Sequence, residues 1–180
     1  MGKQFTRVSY TTDLHGSERT FRKYANAVKF YKVDVSIMGG DIMGKFLIPI
    51  IENQDGSYRT TYGGIQTEIT TAEDLQKHME IIRNLGFYYK KMSYGELERL
   101  KGDEKARNEI FEQLARDRLP QWLSHLAEKL DETNVKVYIT GGNDDSKDDV
   151  KAFAEFIAEL KNIERVELLR YHTLSYVWGT

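Results

Sequence analysis

The chain has 180 residues, 40% of them hydrophobic and 30% charged, which suits one globular domain with a substantial core. Its 26 Lys and Arg residues nearly balance its 28 Asp and Glu residues, so the formal net charge is −2 and a nucleic-acid surface is not indicated. Cysteine is absent, which excludes disulfides, thiolate zinc sites, cysteine nucleophiles and cysteine-ligated iron–sulfur clusters.

The sequence also predicts where the protein is located. It begins Met-Gly-Lys-Gln-Phe, without an apolar run after a basic start, so no signal peptide is predicted. No run of consecutive apolar residues is long enough to span a bilayer. We therefore expect a cytoplasmic protein that does not enter a membrane, and nothing in the sequence indicates its oligomeric state.

The beginning of the chain predicts a βαβ unit. A short strand over residues 5–11 precedes Ser17, which can cap a helix that runs to about residue 31. The compact apolar run over residues 33–38 then suits a buried parallel strand. Because a parallel pair needs a crossover connection, the helix is expected to lie on one face of the sheet.

The next elements are a hairpin and a helical segment. An apolar run over residues 46–51 precedes Gln54-Asp55-Gly56, which predicts a hairpin turn and a return strand over residues 58–62. Thr71 followed by Asp74 has the capping-box form. Ser93 with Glu96 repeats that form, so two helix starts are predicted.

The remaining chain is predicted to return to alternating elements. Residues 103–130 read as one or two amphipathic helices that Pro120 kinks or divides. A strand over residues 135–139, a helix over 150–160 and a last strand over 166–169 follow.

We predict a single α/β domain over residues 1–180. Its mostly parallel sheet is expected to have flanking helices and to contain the strands near residues 5, 33, 46, 135 and 166. A helical insertion is expected over residues 71–130.

Polar residues follow three of the predicted strands. The strands end in Asp13-Leu14-His15-Gly16, in Gly40-Asp41 and in Gly142-Asn143-Asp144. In an open α/β sheet, ligands bind at the carboxyl edge, so these segments are expected to converge. Carboxylate oxygens, imidazole nitrogens and amide carbonyl oxygens can bind divalent cations. A pair of cations can hold a phosphoryl group and activate a water.

These three motifs, in this order, resemble the D-x-H, G-D and G-N-[HD] motifs of the calcineurin-like metallophosphoesterase superfamily over residues 5–145. The resemblance implies a metallophosphoesterase-like sandwich that hydrolyses a small phosphomonoester or phosphodiester with two divalent cations, Mn²⁺, Fe²⁺ or Zn²⁺. It implies that Asp13 and His15 bind the first cation, that Asp41 bridges both and that Asn143 binds the second. Asp144 stands where many members have a histidine that protonates the leaving group, which makes Asp144 a candidate general acid.

The tail departs from that family. Its later isolated histidine and G-H-x-H pair have no counterpart after residue 145, where only His172 remains. In its stretch Asp-Asp-Val-Lys-Ala-Phe-Ala-Glu-Phe and in residues 166–172, the segment over residues 144–176 instead resembles the end of pyruvate formate-lyase activating enzymes, whose radical chemistry needs three cysteines that this chain lacks. We interpret the chain as a truncated or composite one, metallophosphoesterase-like over residues 1–145 with an atypical α/β tail over 146–180. His172 follows the last predicted strand and is a candidate replacement ligand.

Several of these residues have plainer interpretations. The Asp13-x-His15-Gly turn can simply cap the first helix. Asp144 and Asp145 can be helix-cap acids, and Lys45 can be a solvated charge instead of a phosphate ligand. His78 and His125 are expected at the surface or its boundary, and Arg19 as a solvated charge in preference to a phosphate ligand. Core packing is favoured over a wall of the site for three aromatic residues: Phe87, Tyr88 and Tyr89.

Two other functions remain open. The fold can serve as a non-catalytic scaffold that holds metal weakly or not at all. The helices over residues 71–130 can form a partner-binding module, although no motif supports that reading.

Overall fold

A computed structural model of the chain describes residues 5–145 and 166–168. It contains eight strands and four helices in these residues. The strands are β1 (Val8–Thr11), β2 (Val35–Gly39), β3 (Leu47–Glu52), β4 (Tyr58–Tyr62), β5 (Ile65–Ile69), β6 (Tyr88–Ser93), β7 (Lys136–Thr140) and β8 (Val166–Leu168). The helices are α1 (Glu18–Phe30), α2 (Ala72–Asn84), α3 (Tyr94–Lys101) and α4 (Glu104–Leu130).

The strands form two sheets. The first, which we call the parallel sheet, has the order β1-β2-β7-β8, and all its neighbouring strands run parallel. Strands β1 and β2 are adjacent and joined through α1, so the predicted βαβ unit is confirmed. The α/β fold class is confirmed as well.

The second sheet, which we call the mixed sheet, has the order β5-β4-β3-β6. The prediction that the strand near residue 46 belongs to the same sheet as β1, β2 and β7 is wrong. Antiparallel β4 occupies one edge of β3 and parallel β6 occupies the other, so β3 has no edge left for the parallel sheet. The predicted β3–β4 hairpin is confirmed.

The insertion over residues 71–130 is not purely helical, which corrects a second prediction. It contains β6, which pairs with β3 along six residues from Leu47–Tyr88 to Glu52–Ser93. Tyr88 and Met92 are buried, with two lysines between them, so the strand lacks the apolar alternation that would have revealed it. Its place in the sheet rests on main-chain pairing with β3.

Polar side chains cap the N-termini of three helices. The side chains of Ser17, Thr71 and Ser93 each accept a hydrogen bond from the backbone N–H three residues later, at 3.1–3.2 Å. Such bonds satisfy amide groups that have no partner within the helix. All three predicted caps are confirmed. Helix α4 continues through Pro120 as one helix, so Pro120 does not divide it.

Each sheet has its own core. Helices α1 and α4 pack on the parallel sheet, where the rings of Phe21 and Trp122 stack with centroids 4.4 Å apart. Helix α2 packs on the mixed sheet and contributes Leu75, Met79 and Ile82. Tyr88 of β6 belongs to the first core, where it links the two sheets.

The described residues settle some smaller predictions. His78 is buried, contrary to the expectation of a surface or boundary position, while His125 is half-buried, as expected of a boundary residue. Strand β8 belongs to the parallel sheet, as expected, and it lies parallel to β7. The helix predicted over residues 150–160 lies outside the described residues. None of the described helices combines the length and apolar character needed to cross a bilayer.

Candidate metal centre

Asp13, His15 and Asp41 meet beyond the carboxyl ends of β1 and β2. One ligand atom from each residue lies within 4.8 Å of the others, and His15 Nε2 is 3.4 Å from Asp13 Oδ1. Asp13 is exposed, and His15 and Asp41 are half-buried. The convergence expected at this edge is present, and we call these three residues the Asp–His–Asp cluster.

Backbone hydrogen bonds align the two loops that carry the cluster. The Asp13 N–H donates to the Gly40 carbonyl at 3.1 Å, and the His15 N–H donates to the Asp41 carbonyl at 2.9 Å. The Gly16 N–H donates to the Ile42 carbonyl at 2.8 Å. The pairing of β1 with β2 therefore continues into the loops, which fixes the cluster from the main chain.

The cluster residues share an unusual backbone conformation. Asp13, His15 and Asp41 have φ angles of 58°, 44° and 51°, in the left-handed region. Asp and His adopt this region more readily than other non-glycine residues, but each instance costs about 1–3 kcal/mol. Such strain is typical of ligand clamps, because the surrounding structure must hold it in place.

Close backbone approach explains the glycines of these loops. A Cβ on Gly40 would lie 2.6 Å from the Gly142 nitrogen, and one on Gly16 would lie 2.7 Å from the Gly44 backbone. A Cβ on Gly44 or on Gly86 would strike a carbonyl, that of Gly86 or of His15 respectively. No larger residue fits at these positions without a shift of the main chain.

Asp145 braces the cluster from beneath. Its buried carboxylate accepts hydrogen bonds from the Ile42 N–H at 3.0 Å, the Met43 N–H at 2.9 Å and the Gly142 N–H at 2.8 Å. These contacts tie the loop after β2 to the loop after β7. The helix-cap interpretation of Asp145 does not include this role.

Arg118 braces the other side. This buried residue of α4 donates from Nη1 to the Gly16 carbonyl at 2.8 Å and from Nη2 to the Phe87 carbonyl at 3.0 Å. Its guanidinium lies 4.2 Å from the centroid of the Tyr88 ring. Burial lowers the pKa of Arg118 from its usual high value. Sequence reasoning missed Arg118, although it interrupts the apolar stripe of Ala115, Leu119 and Trp122.

The loop after β7 brings two further candidates beside the cluster. The Asp144 N–H donates to Asp41 Oδ1 at 2.9 Å, and Asp144 Oδ2 is 3.7 Å from His15 Nδ1. Asn143 is exposed, and its Nδ2 donates to Asp144 Oδ1 at 3.1 Å. Ligation by Asn143 and proton donation by Asp144 stay predictions.

Lys45 pairs with this loop. Its Nζ lies 2.5 Å from Asp144 Oδ2. The hydrogen bond to Asp144 raises the pKa of Lys45, and the charges of Asp144, Asp41 and Asp13 add to that rise. Lys45 thus stands in a negative field that would also attract a metal cation. Arg19 is exposed on α1, and His172 lies outside the described residues.

The residues fit a divalent cation. Two carboxylates and an imidazole form a donor set common to Mn²⁺, Fe²⁺ and Zn²⁺ sites. The Nδ1 atom of His15 is buried and has no hydrogen-bond partner among the described residues. A buried polar atom without a partner is costly, and a ligand or a bound water would relieve that cost.

No family model, curated protein or solved structure matches this chain. The resemblance to metallophosphoesterases therefore rests on the three sequence motifs alone.

Proposed function

We propose that the protein hydrolyses a phosphomonoester or phosphodiester with divalent cations held by the Asp–His–Asp cluster. The observation that carries the proposal is the meeting of Asp13, His15 and Asp41 at one sheet edge, all three in the left-handed region. Strain of this kind in three candidate ligands is difficult to explain as helix capping, because Ser17 already caps α1.

In this proposal, Asp13 and His15 hold the first cation, Asp41 bridges to a second and Asn143 contributes to the second. When bound, such cations polarise the phosphoryl group and lower the pKa of a bound water. The bond from the Asp144 N–H to Asp41 Oδ1 orients the bridging carboxylate. Asp145 and Arg118 keep both loops in place through buried hydrogen bonds.

Asp144 is proposed as the general acid, because a positioned proton donor assists departure of the ester oxygen. Lys45 lies beside it, with its Nζ 2.5 Å from Asp144 Oδ2. The Lys45 ammonium also offers a positive charge to a phosphoryl oxygen.

We propose that the site belongs to a metallophosphoesterase-like sandwich. Since the family's later histidines have no counterpart, each cation has fewer protein ligands than usual and its affinity should be low. His172 is proposed as one replacement ligand.

Metal titration with a carboxylate variant tests the proposal. We expect Mn²⁺ to bind the wild-type protein weakly but measurably in a calorimetric titration, and bis(p-nitrophenyl) phosphate to be hydrolysed. Asp41→Asn should lower that rate about 100-fold or more, since even residues that only support a ligand cost 10–100-fold. Asparagine tolerates the left-handed region and keeps an oxygen for the Asp144 N–H, so the fold should persist.

Asp131→Asn is the matched control, because Asp131 is an exposed residue directly after α4, at the opposite end of β7. It should bind Mn²⁺ and hydrolyse the ester as the wild-type protein does. Absence of heat at millimolar Mn²⁺ would favour the non-catalytic scaffold. Equal rates for Asp41→Asn and the wild-type protein would place any activity elsewhere.

A further inference from the structure

A cavity lies beside the Asp–His–Asp cluster, between the mixed sheet and helices α3 and α4. Its volume is about 430 Å³, within the range of small-molecule sites. Most of its walls are apolar and come from β3, β6, α3 and α4: Leu47, Pro49, Met92, Leu97, Leu100 and Phe111. We call this cavity the apolar cleft.

The charges of the apolar cleft are all positive. Lys45 and Arg107 line it, and no carboxylate does among the described residues. Arg107 donates from Nη1 to the carbonyls of Leu100 and Lys101, at 2.5 and 2.7 Å, so those two bonds do not neutralise its charge. Lys45 is already paired with Asp144, whereas Arg107 has no ion pair among the described residues, so its charge makes the cleft complementary to a molecule that combines an apolar group with a negative charge.

Lys45 joins the apolar cleft to the cluster. It lines the cleft, and its Nζ contacts Asp144 Oδ2, which lies 3.7 Å from His15 Nδ1. A ligand whose phosphoryl group sits at the cluster would thus have the cleft within reach of its organic part. The adjacency matters because binding energy from a remote part of a substrate can position its reacting centre.

We propose that the apolar cleft holds the organic group of the phosphoester, so that the substrates are phosphate esters of apolar alcohols with aryl or alkyl groups. This inference rests on the proposed function of the Asp–His–Asp cluster. The phosphoryl group binds at the cluster, the Lys45 ammonium lies where the two regions meet, and the apolar group displaces water from the cleft. Each methylene that leaves water raises affinity about fourfold.

Two phosphonates that cannot be hydrolysed test this inference by binding alone. Hexylphosphonate and methylphosphonate carry the same charged group and differ in their alkyl chains. Calorimetric titration of the Mn²⁺-loaded protein should show hexylphosphonate binding about tenfold or more tightly than methylphosphonate, because at least two methylenes enter the cleft.

Variants of α4 locate the alkyl chain. Asn108 lines the cleft and is exposed, so Asn108→Trp should fold while filling the space. We expect the ratio of the two affinities to fall close to one. Gln113→Trp adds the same side chain at an exposed position of α4 that does not line the cleft, and it should keep the wild-type ratio. Circular dichroism confirms that both variants are folded.

The outcomes separate this inference from the proposed function. Equal affinities for the two phosphonates on the wild-type protein overturn the cleft assignment and leave the metal site standing. Failure of both phosphonates to bind in the presence of Mn²⁺ overturns the proposed function itself. Hexylphosphonate binding that persists unchanged with EDTA and in Asp41→Asn also overturns the inference, since the chain would then bind apart from the cluster.

Discussion

The parallel sheet and the mixed sheet are similar in size, but they place the loops that follow their strands differently. In the parallel sheet, the described strands all point the same way, so the loops after β1, β2 and β7 share one edge. In the mixed sheet, β4 runs against β3 and β5, so successive loops fall on opposite edges. Only the parallel arrangement gathers Asp13, Asp41 and Asp144 in one place.

The difference extends to the backbone. All three residues of the Asp–His–Asp cluster have positive φ angles, whereas the mixed sheet has positive φ only at glycines of its turns, such as Gly56, Gly63 and Gly64. A glycine turn costs little, but strained aspartate and histidine residues must be held by other contacts. The parallel sheet thus carries the demanding geometry, and the mixed sheet contributes stability and one wall of the apolar cleft.

The largest loss of stability and of Mn²⁺ binding should follow from removing the Asp145 carboxylate, which holds the loops after β2 and β7 together. Asp145→Ala leaves the buried N–H groups of Ile42 and Met43 and the half-buried N–H of Gly142 without their acceptor, and each loss at a buried group costs about 1–3 kcal/mol. We expect the free energy of unfolding to fall by about 4 kcal/mol and Mn²⁺ binding to weaken strongly. Urea denaturation and calorimetry measure the two effects.

The adjacent residue provides the control for stability. Asp144→Ala removes a partly exposed ion pair with Lys45, which is worth about 1 kcal/mol or less. If both alanine variants lose the same stability, Asp145 is not the brace that its hydrogen bonds indicate.

A substitution that creates a cavity beside the mixed sheet should lower the free energy of unfolding by less than Asp145→Ala does. It should not affect Mn²⁺ binding. Leu75 is buried in the core between α2 and the mixed sheet. Leu75→Ala should lower the free energy of unfolding by about 3 kcal/mol. The Mn²⁺ affinity of the folded protein should not change, because Leu75 is not part of the cluster or its braces. A loss of affinity as large as that of Asp145→Ala would show that the two sheets are not separable.

The smallest effect concerns a buried polar pair beneath the parallel sheet. The hydroxyls of Tyr24 on α1 and Ser36 on β2 lie 2.8 Å apart. Tyr24→Phe should cost about 1 kcal/mol at neutral pH, since the buried Ser36 hydroxyl loses its partner. Urea denaturation at neutral pH measures this loss.

The same pair predicts a pH dependence. Burial raises the pKa of Tyr24 from 10.0 to about 12. Between these values the unfolded chain releases a proton that the folded protein keeps, so the stability from Tyr24 is present below pH 10 and is lost as the pH rises. Between those pH values, the free energy of unfolding should fall less steeply in Tyr24→Phe than in the control Tyr31→Phe, which alters an exposed tyrosine. Parallel slopes would contradict the assignment.

Local signals predicted much of the fold. The caps at Ser17, Thr71 and Ser93 were predictable because capping depends on residues three positions apart. The pairing of β3 with β6 was not predictable, because it joins two strands that are far apart in sequence. Nothing in the apolar run of β3 distinguishes one sheet from the other.

The residues of the candidate site also differ in whether the sequence predicted their roles. Asp13, His15 and Asp41 were found because they follow strands and have residue types that bind metals. Asp145 was not recognised as a brace, because a carboxylate beside Asp144 carries no sequence signal of its burial. Arg118 did carry a signal, since a charged residue within a buried helical stripe needs polar partners.

The meeting of Gly16, Gly44 and Gly86 bears on the order of folding. Their backbones touch at the foot of the cluster, although they belong to three separate segments of the chain. Contacts between distant segments form late, because the entropy of closing the intervening loops must be overcome first. During synthesis, Asp13 and His15 emerge long before the turn at Gly86 and longer still before Asp145. Pulse-labelled hydrogen exchange should therefore show the His15 and Gly16 amides gaining protection after those of α1, with the first motif of the sequence among the last parts of the fold to be completed.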